Sequence, residues 1–171
     1  VILLEALRFV KSDIELTIHC QLPQMLTYDL IPANVKLHIE HGDTQNYWEN
    51  YIDQDVLVMP RRWGGLCLPM QEALGAGMPV IMPSISPNDA VLPMDWQVPV
   101  TTAGDFMARS PINIFDADRH ALAALIDRFA TDEKYYRSAT RQARHLAQLG
   151  SWENLTPMYY KVLQSITNGV G

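Results

Sequence analysis

Two cysteines, Cys20 and Cys67, are all this chain has, and they form no Cys-x-x-Cys pair. A disulfide framework is therefore excluded, and free thiols fit a reducing, cytoplasmic setting. No apolar run approaches the ~18 residues that a membrane span needs, so no transmembrane segment is expected. The Gly-x-Gly-x-x-Gly fingerprint of dinucleotide enzymes is missing. So is the Gly-x-Ser-x-Gly elbow that would present a nucleophilic serine. His19, His38 and His41 lack the spacing of metal ligands, and neither a metal nor a cofactor is expected. Basic charge is short as well. Thirteen Lys and Arg face nineteen Asp and Glu, a net charge of -6. That argues against nucleic acid as the main partner. No internal repeat, low-complexity tract or interdomain linker breaks residues 1–171, which read as one domain.

What is present is apolar. Hydrophobic residues make up 48% of the chain and charged residues 19%, enough for a packed core. Residues 1–11, "VILLEALRFVK", carry apolar side chains at helical spacing but no N-cap signal. Residues 14–20 and 35–41 read as strands, the second alternating Val35, Leu37 and Ile39 inward. Residues 46–54 suggest a short helix in which Tyr47, Trp48 and Tyr51 pack rather than stack on a base. "DVLVMP" (55–60) and "PVIMP" (79–83) are continuous apolar runs, typical of parallel strands buried on both faces. A helix over about 69–76 lies between them. Residues 96–100 form a weaker strand, demoted by Pro99.

The tail reads as helical. Leu122, Leu125, Ile126 and Phe129 repeat at helical spacing after Asp116 or Asp118 as N-cap. A second helix covers 132–148 and stops at Gly150. Ser151 is a candidate cap for a third, which Pro157 should kink or restart after Thr156. Leu155, Met158, Tyr159, Val162, Leu163 and Ile166 form its apolar stripe. Alternating strands and helices predict an α/β fold with a mostly parallel sheet covered on both faces. Ligands of such sheets bind beyond the carboxyl ends of the strands.

One stretch stands at that place: "PRRWGGLCLPMQEALGAGMPVIM", residues 60–82. Pro69 suits the first helical position, with Leu68 before it as a poor N-cap. The N–H groups of Met70, Gln71 and Glu72 are then expected to be free, in a helix start that attracts anions. Gly64 and Gly65 allow close backbone approach. Arg61 and Arg62 can add charge-assisted hydrogen bonds to phosphate. Glu72, expected in the first turn, can accept hydrogen bonds from sugar hydroxyls. The set suits a nucleotide whose phosphates carry a sugar. His41 and Gly42, after a strand's carboxyl end, are candidates to line the base pocket, or a plain turn.

These residues resemble a known family. "GGLCLPMQEALGAGMPVIMP" is similar to the donor-binding signature of family 4 retaining glycosyltransferases, in the C-terminal, Rossmann-like half of the GT-B fold. Glu72 matches the second glutamate of that signature, and Gly77, Pro79 and Val80 match its Gly-x-Pro-Val. "YIDQDVLVMP" resembles the strand that leads into it. Residues 113–155, "NIFDADRH" through "SWENL", resemble the family's late helices. The resemblance implies a nucleoside diphosphate sugar as donor substrate, no metal, and transfer of the sugar to a hydroxyl acceptor. It also implies that the family's first strand, the basic pair after it and the acceptor domain fall before Val1, so that the isolated chain transfers no sugar and tends to self-associate. The chain departs from the signature at Gly64, eight positions before Glu72, where the family has its first glutamate. No catalytic residue is therefore assigned. The readings left open are a relative that binds a nucleotide or sugar without transferring it, a GT-B sugar-nucleotide epimerase, and an unrelated flavodoxin-like domain.

Overall fold

A computed structural model describes residues 2–20, 31–42 and 46–168. It is a mixed α/β structure with the element order α1 (Ile2–Leu7), β1 (Ile14–Cys20), β2 (Val35–His41), β3 (Leu57–Val58), α2 (Leu68–Gly75), β4 (Val80–Pro83), β5 (Gln97–Val98), β6 (Val100–Met107), β7 (Pro111–Ala117), α3 (Arg119–Thr131), α4 (Glu133–Leu149) and α5 (Trp152–Asn168). Among the described residues, the strands form three separate sheets. β1 and β2 make a parallel pair, β3, β4 and β5 a parallel set in that order, and β6 and β7 an antiparallel hairpin.

The core collects where the apolar runs are densest. All four residues of β4 are buried, as a strand covered on both faces requires. Leu7 of α1, Met70 and Leu74 of α2, Leu122 of α3 and Trp96, just before β5, are fully enclosed around it. Removing a side chain such as Leu74 costs both its burial and the cavity left behind, about 2–5 kcal/mol for truncation to alanine. α3 starts as its sequence demands. Asp118 accepts from the N–H groups of His120 and Ala121 at 2.8 and 3.0 Å. Asp116, the other candidate cap, pairs instead with Arg119. α2 stops at Gly77, whose φ of +78° and contact with Arg144 leave no room for a side chain.

Several expectations need correction. The first helix is α1 alone, Ile2–Leu7, not residues 1–11. Asp127 accepts from the N–H groups of Lys11 and Ser12, both at 2.9 Å, and so holds the chain in a turn into β1. Residues 46–54 give a 3₁₀ turn, Tyr47–Tyr51, rather than an α-helix. The strand expected at 55–60 pairs only at Leu57–Val58. The one at 96–100 divides at Pro99, which has no N–H for a ladder, into β5 and the start of β6.

The hairpin β6–β7 was not foreseen. β6 is largely exposed, with a register shift between Thr102 and Gly104, so no alternation of buried and exposed apolar residues marks it. Its second strand is β7, whose residues 113–117 were read by resemblance as part of the late helices. Ser151 precedes α5 but does not cap it, since its hydroxyl is buried without a partner. α5 does not restart after Thr156, since it runs through Pro157 from Trp152 to Asn168. The stripe on that helix exists, but Met158, Tyr159, Val162, Leu163 and Ile166 all lie on the surface.

Candidate functional site

The stretch around residues 60–72 follows the carboxyl end of β3 and enters α2. The first helical residue is Leu68, so Cys67 is the N-cap and Pro69 the second helical position. This shifts two expectations by one residue. Leu68 is not the cap, and Glu72 falls in the second turn rather than the first. A helix N-terminus leaves its first N–H groups free, but the fourth helical residue already finds an acceptor. Gln71 accordingly donates to the Cys67 carbonyl at 3.3 Å and is not free. Cys67 supplies no side-chain cap, as expected of a buried thiol at that place. Among the described residues, the backbone N–H groups of Leu68 and Met70 have no side-chain cap from Cys67 and no backbone acceptor outside the helix.

The two arginines take different roles. The Arg61 guanidinium turns back onto its own loop and donates to the carbonyls of Gly65 and Leu66 at 3.2 and 3.4 Å. That fixes its charge beside the start of α2. Arg62 is exposed, and its carbonyl accepts from the Phe115 N–H of β7 at 2.7 Å. The hairpin is thereby fastened to the arginine loop, and Trp63 meets Phe106 of β6 edge to face, with ring centroids 5.8 Å apart.

Gly64 has a steric reason. A β-carbon there would lie 2.0 Å from the carbonyl oxygen of Ser86, in the loop that follows β4. Two loops at the same end of the sheet therefore touch backbone to backbone. Gly65 has φ +127°, a conformation that disfavours any side chain.

Glu72 is not a lone acid. Its Oε2 accepts a 2.6 Å hydrogen bond from the Tyr51 hydroxyl, which comes from the 3₁₀ turn. Burial first, and then the Glu72 carboxylate, push the Tyr51 phenol far above its ordinary value. The phenol stays a donor and one oxygen of Glu72 stays occupied. Tyr51 is the residue that sequence reasoning missed. It stands 21 positions from Glu72, and nothing in its local pattern ties it to α2.

His41 and Gly42 end β2 on the surface, Gly42 with φ +88° and open space around it. Neither makes a hydrogen bond or ion pair to the arginine loop. Two cavities, of 590 and 320 Å³, lie between β1 and β3, and neither is lined by Arg61, Arg62, Gly64, Gly65 or Glu72. The arginine loop is an open surface, and geometry rather than enclosure makes it the candidate. Among the described residues, no three His, Cys, Asp or Glu side chains gather as a metal would need. No helix among them is long and apolar enough to cross a membrane.

No protein-family model matches the chain, and no curated protein matches it.

Proposed function

We propose that this chain binds the nucleotide-sugar donor of a GT-B glycosyltransferase, as a Rossmann-like C-terminal half. The resemblance of residues 60–83 to the donor signature of family 4 supplies the class. The observation that carries the reading is the loop beside α2. An uncapped helix start, the immobilised Arg61 and the exposed Arg62 offer positive charge and N–H donors within a few residues. Oxygen-rich, doubly charged diphosphate is the ligand such a surface suits.

In the reaction, the bond from the anomeric carbon to the diphosphate oxygen breaks with its electron pair. The acceptor oxygen bonds to that carbon, and the acceptor proton leaves to the released diphosphate or to water. Charge grows on the leaving oxygen, so donors already aimed at it lower the barrier. Arg61 and the start of α2 would take that role. Glu72, with Oε2 held by Tyr51, keeps Oε1 for a sugar hydroxyl. His41 and Gly42 remain candidates for the base pocket.

One observation favours a second reading, a relative that binds the nucleotide-sugar without transfer. At Gly64 the backbone lies against Ser86, and a glutamate there has no room in this arrangement.

The test is nuclear magnetic resonance titration of the purified chain with a nucleoside diphosphate, a nucleoside diphosphate sugar and inorganic phosphate. Amides of residues 64–72 should shift most. Glu72→Ala should weaken the nucleotide-sugar more than phosphate. Shifts spread evenly over the chain, or equal losses for both ligands, would overturn the reading. Turnover of donor by a protein carrying an acceptor domain separates enzyme from binder.

A further inference from the structure

Trp63 and Phe106 stay out of the buried core, yet both are held in place. Trp63 is 46% exposed and Phe106 38%, and their rings meet at 73°. An edge-to-face pair covers at most one face of each ring, so the indole keeps a face for another partner. The backbone that carries it is anchored on several sides. Arg61 closes onto the carbonyls of Gly65 and Leu66, the Arg62 carbonyl takes the Phe115 N–H, and Gly64 lies against Ser86. These contacts hold the loop without the open indole face. A ring presented on a fixed loop loses little freedom when a ligand lands on it.

The hairpin adds a flat surface beside the pair. Residues two apart on a strand share a face, so Gly104 and Phe106 lie side by side, opposite Ile114 and Ile112 of β7. A β-carbon on Gly104 would meet nothing within 4 Å. The strand face next to the Phe106 ring is therefore open.

The surroundings are polar. Arg62 and Gly64 flank Trp63, Asp105 stands next to Phe106, and both Arg62 and Asp105 are exposed. A protein interface covers on the order of 800 Å² per partner, far more than two half-exposed rings supply. A pyranose ring matches the setting better. Its C–H groups make one face apolar and weakly positive, which suits the negative face of an aromatic ring. Its hydroxyl rim accepts hydrogen bonds from an arginine and donates them to a carboxylate.

We propose that Trp63, backed by Phe106, is a stacking platform for a pyranose ring beside the arginine loop. The proposal rests on the nucleotide-sugar reading for the source of that ring, which is the hexose of the donor or that of an acceptor. Trp63 orients the ring while the arginines hold the diphosphate, and no bond is made or broken at the indole.

Saturation-transfer nuclear magnetic resonance on the purified chain tests this. The probes are uridine and guanosine diphosphate, their glucose and mannose esters, and the methyl glycosides of both sugars. Trp63→Phe assigns the Trp63 indole among the four tryptophans. The protons on one face of the sugar ring should take up saturation, and the Trp63 indole N–H should shift. Saturation of the ester places the donor hexose on the platform. Saturation of the methyl glycoside, added over the nucleoside diphosphate, places an acceptor hexose there.

Trp63→Leu keeps an apolar side chain without a ring. It should abolish the saturation and weaken the sugar-bearing probe about fivefold, with the nucleoside diphosphate unchanged. Trp63→Tyr should restore most of that binding, and it keeps the test open if the leucine variant does not fold. Equal weakening of nucleoside diphosphate and ester would overturn the proposal, because the indole would then stack on the base. Saturation that survives Trp63→Leu would overturn it too. Nucleotide shifts at residues 64–72 with no saturation of any sugar would overturn the platform and leave the nucleotide reading standing. A glycoside bound at Trp63 with no nucleotide shift at those residues would do the reverse.

Discussion

The Tyr51 hydroxyl donates to Glu72 Oε2 at 2.6 Å and joins a 3₁₀ turn to the second turn of α2. A carboxylate held this way keeps its direction before any ligand arrives. Tyr51→Phe removes that hold, together with the hydroxyl's interaction with Tyr47. Loss of a hydrogen bond to a charged group is worth about 1.5–3 kcal/mol. Thermal unfolding should show a lower midpoint, and calorimetric titration should show nucleotide-sugar binding weakened while phosphate is unchanged. Equal binding by the variant and the parent would mean that Tyr51 serves packing alone. Burial and the neighbouring carboxylate both raise the phenol's pKa and so keep it protonated. In an alkaline titration followed by absorbance, this tyrosine should ionise only as the chain unfolds.

Gly64 tests the contact between the two loops. With a β-carbon 2.0 Å from the Ser86 carbonyl oxygen, Gly64→Ala must push backbone away. Overpacking of this kind costs about 1–3 kcal/mol. Denaturant unfolding should show the loss, and Gly65→Ala should also destabilise through its φ of +127°. Gly64→Glu should not create transfer activity. A stable Gly64→Glu variant that transfers sugar would show that the loop rearranges freely.

Asp127 gives a pH dependence. Burial works against its charge, but the Ser12 hydroxyl and the backbone N–H groups of Ser12 and Lys11 outweigh it and hold the carboxyl below its ordinary value. A depressed folded-state value stabilises the fold above the unfolded value, near 3.9, and that gain is lost as pH falls through the folded value. Asp127→Asn should therefore be less stable than the parent at neutral pH, by about 1–2 kcal/mol. The gap should close under strongly acidic conditions. Unfolding measured across that range checks both halves, and a gap that persists in acid would show that shape rather than charge holds the α1–β1 turn.

The α5 stripe predicts association. Met158, Tyr159, Val162, Leu163 and Ile166 are all more than half exposed. A contiguous apolar face of this kind promotes self-association in the purified chain. Leu163→Glu with Ile166→Lys should lower the mass seen by light scattering, with little change in thermal midpoint because neither side chain is buried. An unchanged mass would exclude α5 as the contact.

Much of the fold is legible in local chemistry. β4 is a run of buried apolar residues, and its sequence says so. Asp118 caps α3 and Gly77 ends α2 because such ends depend on one or two residues. The arginines, the glycines and the uncapped helix start also lie within one short stretch, so their proximity follows from chain order. What chain order does not contain was decided by packing. Tyr51 reaches Glu72 from a separate turn. Phe115 ties the hairpin to Arg62, and Ser86 explains Gly64, across long sequence separations. The hairpin escaped because an exposed strand needs no apolar alternation. The division of the parallel strands into separate sheets was equally invisible, because a strand's residues record what covers its faces, whereas its edges are backbone, which every residue shares.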